Sequence, residues 1–280
     1  MRQFPFRQVD VFTAEPHRGN PLAVVHDATG LDDDAMAAFA RWTNLSETVF
    51  LLPPGDPAAD YRLHIFTPGG ELPFAGHPTL GACYSWLAAG GRPRQAGYVV
   101  QECGAGLVRV RAQGDTLAFA APPLLRTGPV ADDDLAVLLP ALGLAPGAVE
   151  AHQWVDNGPG WCALLLRSVD ALRALAPDWA ALGDYRVGVA ALLPAEEPGD
   201  LEVRAFVPGV GVPEDPVTGS LNAGLAQWLI GEERLPPGYR ARQGRSLGRD
   251  GWVALAREDD AIWVGGQVVE VVAGSVAFPP

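Results

Sequence analysis

Residues 71–81, ELPFAGHPTLG, place His77 on a turn flanked by Gly76 and Pro78, at the expected mouth of a helix. Backbone N–H groups and the positive end of a helix suit an anionic ligand, and an imidazole beside them could handle protons. A poorer copy stands at residues 214–224, EDPVTGSLNAG, with Asp215 just ahead of its turn. The N–H groups of Gly76, His77 and Thr79, and of Thr218, Gly219 and Ser220, are the candidates for holding a substrate carboxylate. A third ionisable group, Glu47, lies in a polar corner, Asn44-Leu45-Ser46-Glu47-Thr48, between an apolar helix and an apolar strand. Acid–base chemistry near neutral pH needs a carboxylate made more basic by partial desolvation, with a histidine or second acid nearby. Glu47, His77 and Asp215 are the candidates for those roles.

Each residue also has a plainer explanation. Thr79 and Ser220 read as helix N-caps, and the glycines as tight turns. Pro78 suits a first helical turn, where its missing N–H costs nothing. Asp215 is an acid favoured by a helix dipole, and Glu47 taken alone is a solvated loop residue. His17, His26, His64 and His152 lie on loops or strands with no such setting, and a structural reading is preferred for each. What tips the balance for the two turns is that they occur twice.

The elements around them repeat as well. Gly19-Asn20-Pro21 leads into an apolar run at residues 22–25, and Asn157-Gly158-Pro159 into another at 161–166. A helix is expected after each: one from Asp32-Asp33-Asp34, with Met36, Phe39 and Ala40 on one face, the other over residues 169–182. Strands are expected at 48–52 and 187–193, then alternating strands at 62–68 and 202–208, in which Phe and Pro recur at an offset of 140. The special turns follow, then helices at 79–89 and 220–230. Hairpins close each half, pairing 107–111 with 117–120 and 252–256 with 262–264. The pattern predicts two α+β lobes of similar topology, strand-rich, each with a buried helix. The first covers residues 1–122, joined by a short C-terminal strand from within 274–280; the second covers 123–273. Pseudo-twofold lobes would set the two turns on opposite walls of one cleft.

Composition bounds the reading. The 280 residues carry 33 acidic against 20 basic side chains, a net charge of −13 that repels nucleic acid. Three cysteines, Cys83, Cys103 and Cys162, form no CxxC or Cys/His cluster, so neither a disulfide framework nor a metal site is expected. No leader-like stretch opens the sequence, and no run approaches the 18 apolar residues or so of a membrane span. A soluble, cytoplasmic protein without nucleic-acid or membrane partners is the expectation.

Several long motifs in order carry a resemblance. They are VDVFTAEPHRGNPLAVV (9–25), NLSETVF (44–50), IFTPGGELPFAGHPTLGA (65–82), CGAG (103–106), DNGP (156–159) and EDPVTGS (214–220). Over its whole length the chain resembles the phenazine-biosynthesis isomerase family, the PhzF-like proteins. That resemblance implies the diaminopimelate-epimerase fold, two pseudo-symmetric lobes that each wrap a strand barrel around a helix. It also implies a cofactor-independent proton shift and a homodimer. In that scheme Glu47 takes a proton from one carbon of a cyclic, carboxylate-bearing diene and returns it to another. His77 and Asp215 line the site, and the carboxylate rests near Gly76 and near Gly219-Ser220.

Epimerases of this fold use two facing thiols, for which the matching positions here are Ala75 and Pro216. None of the cysteines stands there, which disfavours two-thiol chemistry. Trp42 and Asn222 depart from the residues common in relatives and could reshape the pocket. Two alternatives stay open: an epimerase using Glu47 or His77 with Asp215 in place of thiols, and a binding protein that keeps the cleft without the chemistry.

Overall fold

A computed structural model describes residues 1–210 and 212–279. The chain divides into two compact units, Met1–Ala120 with Gly265–Pro280, and Ala121–Val264. The returning segment therefore starts at Gly265, ahead of the expected residue 274.

The first unit contains β1 (Arg2–Val11), β2 (Asn20–Val25), α1 (Asp33–Thr43), β3 (Thr48–Leu52), β4 (Tyr61–Thr67), β5 (Gly70–Leu72), α2 (Gly76–Ala88), β6 (Tyr98–Cys103), β7 (Gly106–Gln113) and β8 (Thr116–Ala120). The second contains α3 (Asp132–Ala141), β9 (Val149–Trp154), β10 (Trp161–Leu166), α4 (Val169–Arg173), α5 (Trp179–Leu182), β11 (Arg186–Leu192), β12 (Leu201–Phe206), β13 (Glu214–Asp215), α6 (Gly219–Gly231), β14 (Gly238–Gln243) and β15 (Gly251–Glu258). The last strand, β16 (Ala261–Phe278), begins in the second unit and ends in the first.

The duplication is visible in the pairing. In the first unit β1–β2 is antiparallel, β2–β3 parallel, β3–β4 antiparallel, β4–β6 parallel and β6–β7 antiparallel. In the second, β9–β10, β10–β11, β11–β12, β12–β14 and β14–β15 repeat that series of senses. Short β5 hangs on β4 as β13 hangs on β12. In the first unit β16 lies between β8 and β1, pairing Arg2 with Phe278 through Val11 with Val268, so eight strands close into a barrel. The architecture is α+β, two pseudo-symmetric units, as expected.

Each special turn feeds the central helix of its unit. Helix α2 is apolar on all sides and buried from Gly76 to Cys83, as is α6 from Leu221 to Ala226. Small residues let the strands approach. A Cβ on Gly81 would lie 2.5 Å from Leu22 Cδ2, and one on Gly224, its counterpart in α6, 2.4 Å from the Val155 carbonyl oxygen. In the first unit α1 packs Met36 and Ala40 against Phe4, Phe50, Phe66 and Phe278, while in the second α3, α4 and α5 cover β10 and β11.

Three expectations need correction. The helix expected over residues 169–182 is two helices, because Pro177 disfavours helical backbone at Ala176 and Asp178 starts afresh as an N-cap, accepting from Ala180 and Ala181 N–H. Residues 261–278 form one long strand where a hairpin arm and a separate terminal strand were expected. Helix α2 starts at Gly76, three residues ahead of Thr79. Among the described residues no helix is long and apolar enough to cross a membrane.

Candidate active site

Glu47 owes its position to the end of α1. Asn44 caps that helix in the left-handed conformation at φ 54°, its N–H bonded to the Ala40 carbonyl, and this reverses the chain. A hydrogen bond between the Thr43 and Thr48 hydroxyls, 2.9 Å, staples the corner that carries Ser46 and Glu47. The Glu47 side chain is only 15% exposed, and its Oε2 lies 3.4 Å from Nε2 of His77, which is 5% exposed.

His77 occupies the second position of α2, where a helix provides no acceptor for its backbone N–H. The N–H groups of Gly76 and His77 are thus first-turn donors outside the helix's own ladder. That of Thr79 is not. Its N–H bonds to the Ala75 carbonyl at 3.2 Å, its hydroxyl donates to the same oxygen, and Gln101 Nε2 donates to that hydroxyl. Because the helix starts three residues early, Thr79 already belongs to its hydrogen-bonded interior, and its part is structural.

The imidazole is neutral. Burial pushes its pKa down to about 3. The tautomer follows from Asn20, the first residue of β2. Ser46 Oγ donates to Asn20 Oδ1 at 3.3 Å, leaving the amide nitrogen to face His77 Nδ1 at 3.4 Å. An amide nitrogen can only donate, so Nδ1 accepts and the ring proton sits on Nε2, toward Glu47.

The second turn is built differently. Asp215 ends β13, and its Oδ2 accepts a 2.6 Å hydrogen bond from the Thr218 hydroxyl. Gln243 ties the turn together: its Nε2 donates to the Asp215 carbonyl and the Thr218 hydroxyl, and its Oε1 accepts from Thr218 N–H and Asn222 Nδ2. Thr218 is thus an N-cap residue whose own N–H is engaged, leaving Gly219 and Ser220 to supply first-turn N–H groups. Asn222 is fully buried in this network and shapes the turn from inside. Glu214, the residue before Asp215, is held in a buried two-pronged pair with Arg204 at 2.9 and 2.8 Å.

Of the candidates read from sequence, Glu47 and His77 lie 3.4 Å apart, and Asp215 is bonded to Thr218 in the second turn. Sequence reasoning missed Asn20, Ser46, Gln243 and Trp161, although Asn20 and Asn157 had already marked the repeated turns. Trp42 is 79% exposed and stacks on Phe39 at 5.9 Å between ring centroids. The other histidines have structural partners where these are described: His26 with Ser85, His64 with Glu71, His152 with Val130 N–H. Burial drives the Cys83 thiol well up and the Cys162 thiol to about 12, and raises Cys103. None is a ready thiolate at neutral pH.

The chain matches the family described as "Phenazine biosynthesis-like protein" over residues 9–274. It is 33% identical to antisense-enhancing sequence 1 of Schizosaccharomyces pombe, covering 98% of this chain and 99% of that protein. It is 37% identical to the trans-2,3-dihydro-3-hydroxyanthranilate isomerase of Pseudomonas aeruginosa, over 86% of each. The crystal structure of a PhzF-family phenazine biosynthesis protein from Bacillus anthracis superposes with a TM-score of 0.83 at 21% identity, over 99% of this chain and 100% of that one, so the two share a fold. Motifs, fold and relatives agree: the chain belongs to the phenazine-biosynthesis-like family and is an isomerase.

Proposed function

We propose that the protein moves a proton between two carbons of a small, carboxylate-bearing cyclic diene, with Glu47 as carrier. The observation that carries this reading is the Glu47–His77 pair: a largely buried carboxylate 3.4 Å from a neutral imidazole at the mouth of a buried helix. Glu47, as carboxylate, takes a proton from a tetrahedral ring carbon. The C–H electron pair joins the diene, the double bonds shift, and the protonated Glu47, whose O–H exchanges with solvent, delivers a proton to another ring carbon. Atoms balance without any co-reactant. Neutral His77 cannot be the base while its Nδ1 is occupied by Asn20; its Nε2–H steadies the carboxylate between the two proton positions. Gly76 and His77 N–H groups hold the substrate carboxylate.

The named substrate of the Pseudomonas aeruginosa relative, trans-2,3-dihydro-3-hydroxyanthranilate, is the first compound to test. Incubated in D₂O and followed by NMR, it should acquire deuterium at a ring carbon. Glu47→Gln should slow this roughly 10²- to 10⁴-fold, the usual contribution of a general acid–base group. Deuterium at the α-carbon of an amino acid instead would identify an epimerase, and unimpaired Glu47→Gln would end the assignment of Glu47. A cytoplasmic homodimer completes the proposal, and sedimentation equilibrium reads the dimer directly.

A further inference from the structure

The two units hold the second residue of their central helix by the same device. In the first, the residue that opens β2, Asn20, directs an amide nitrogen at His77 Nδ1. In the second, the residue that opens the corresponding strand β10 is Trp161, and its indole Nε1–H donates to Ser220 Oγ at 2.9 Å. Ser220 is the second residue of α6 as His77 is of α2. Both donors have no acceptor character, so each fills a lone pair on its partner and leaves the partner's own proton to point elsewhere.

For Ser220 the consequence is specific. A serine hydroxyl in a helix turns freely between acceptors and commonly bonds back to the preceding turn. Here Trp161, 3% exposed and fixed at the strand end, occupies the oxygen, while Asn157 Nδ2 holds the Ser220 carbonyl at 2.8 Å. Among the described residues nothing accepts the Ser220 hydroxyl proton. We propose that Trp161 is a positioning residue: it locks the Ser220 hydroxyl as an outward donor for an oxygen of the bound carboxylate substrate. This rests on the proton-shift reading for the substrate, though not for the hydrogen bond itself.

The test separates the two. In ¹⁵N-labelled protein, the Trp161 indole cross-peak, identified by its loss in Trp161→Phe, should move upfield and exchange faster in Ser220→Ala. An unmoved peak overturns the proposal whatever the protein catalyses. With trans-2,3-dihydro-3-hydroxyanthranilate, Trp161→Phe should lower kcat/KM about three- to tenfold, the worth of one hydrogen bond. The same change made in Ser220→Ala should then have no further effect. Additive losses would mean that Trp161 acts through packing and not through Ser220. If the wild type leaves this diene unchanged, the reaction reading fails, and the indole peak alone decides the positioning.

Discussion

His77 shows how far a residue's type is from its role. Histidine on a glycine-rich turn suggests a proton carrier, yet burial holds the ring neutral, with a pKa of about 3. Its signals should therefore not titrate between pH 8 and 5, which a ¹H–¹³C spectrum of labelled protein checks directly; a midpoint near 6.5 would remove the neutral-donor role. Asn20 sets which nitrogen bears the proton. Asn20→Ala should release that choice and slow turnover about fivefold with the fold intact, since one hydrogen bond of this kind contributes about 1 kcal/mol. Unchanged rates would mean that the tautomer does not matter. Glu47 and His77 were legible because each stands in a motif of its own. Asn20 was not, because in a Gly-Asn-Pro turn it looks like punctuation, and its partner lies 57 residues along the chain.

At the scale of elements, legibility followed periodicity. Strands β3 and β4 and the β7–β8 hairpin stood near their expected places, because alternation or an apolar run marks a half-buried or buried strand. Helix α2 started early because Gly76, His77 and Pro78 look like loop residues until the helix is seen to be buried on every side. Its tight fit makes Gly81 sensitive. An added methyl would meet Leu22 at 2.5 Å and Val11 and Val9 at 3.0 and 3.1 Å, all branched side chains inside the barrel. Gly81→Ala gains helix propensity but overpacks this contact, and should destabilise the protein by about 1–3 kcal/mol in urea unfolding. A stabilised variant would show that the barrel yields there. The opposite end of α2 is anchored by Arg7, whose guanidinium donates to the Ser85 and Ala88 carbonyls, a cation placed where the helix dipole favours one.

For the whole molecule, the duplication and the return of a terminal strand to the first unit were readable, but the length of that strand was not. Beyond Val264 the sequence alternates too weakly to reveal one continuous strand, and its pairing with β1 shows the full extent. Acid offers a first global test. Burial, and then Arg7, push the His26 imidazole down to about 4, with Asp27 acting the other way. Below pH 6.5 the unfolded chain binds a proton there that the folded chain refuses. Stability should therefore fall as pH drops from 6.5 to 4, by about 1.4 kcal/mol per pH unit from this group, and His26→Gln should flatten that slope.

The closing strand offers a sharper one. Gly265–Pro280 returns to the first unit, where β16 separates β1 from β8 and seats Phe278 among Phe4, Phe39 and Phe50, with ring centroids 5.3, 5.0 and 6.5 Å away. Ending the chain at Val264 removes that aromatic ring and leaves β1 and β8 as open edges, with unpaired N–H and C=O groups along both. The core beside α3, α4 and α5, from Val130 to Phe206, lies wholly within Ala121–Val264 and loses nothing directly. The truncated chain should lose amide-exchange protection across β1–β4 and be cut by protease within Met1–Ala120, while β10–β12 stay protected. Phe278→Ala, which keeps the strand and deletes the ring, should cost about 3–5 kcal/mol without local fraying of β8. Full protection of β1 in the truncated chain would show that the barrel does not depend on its eighth strand.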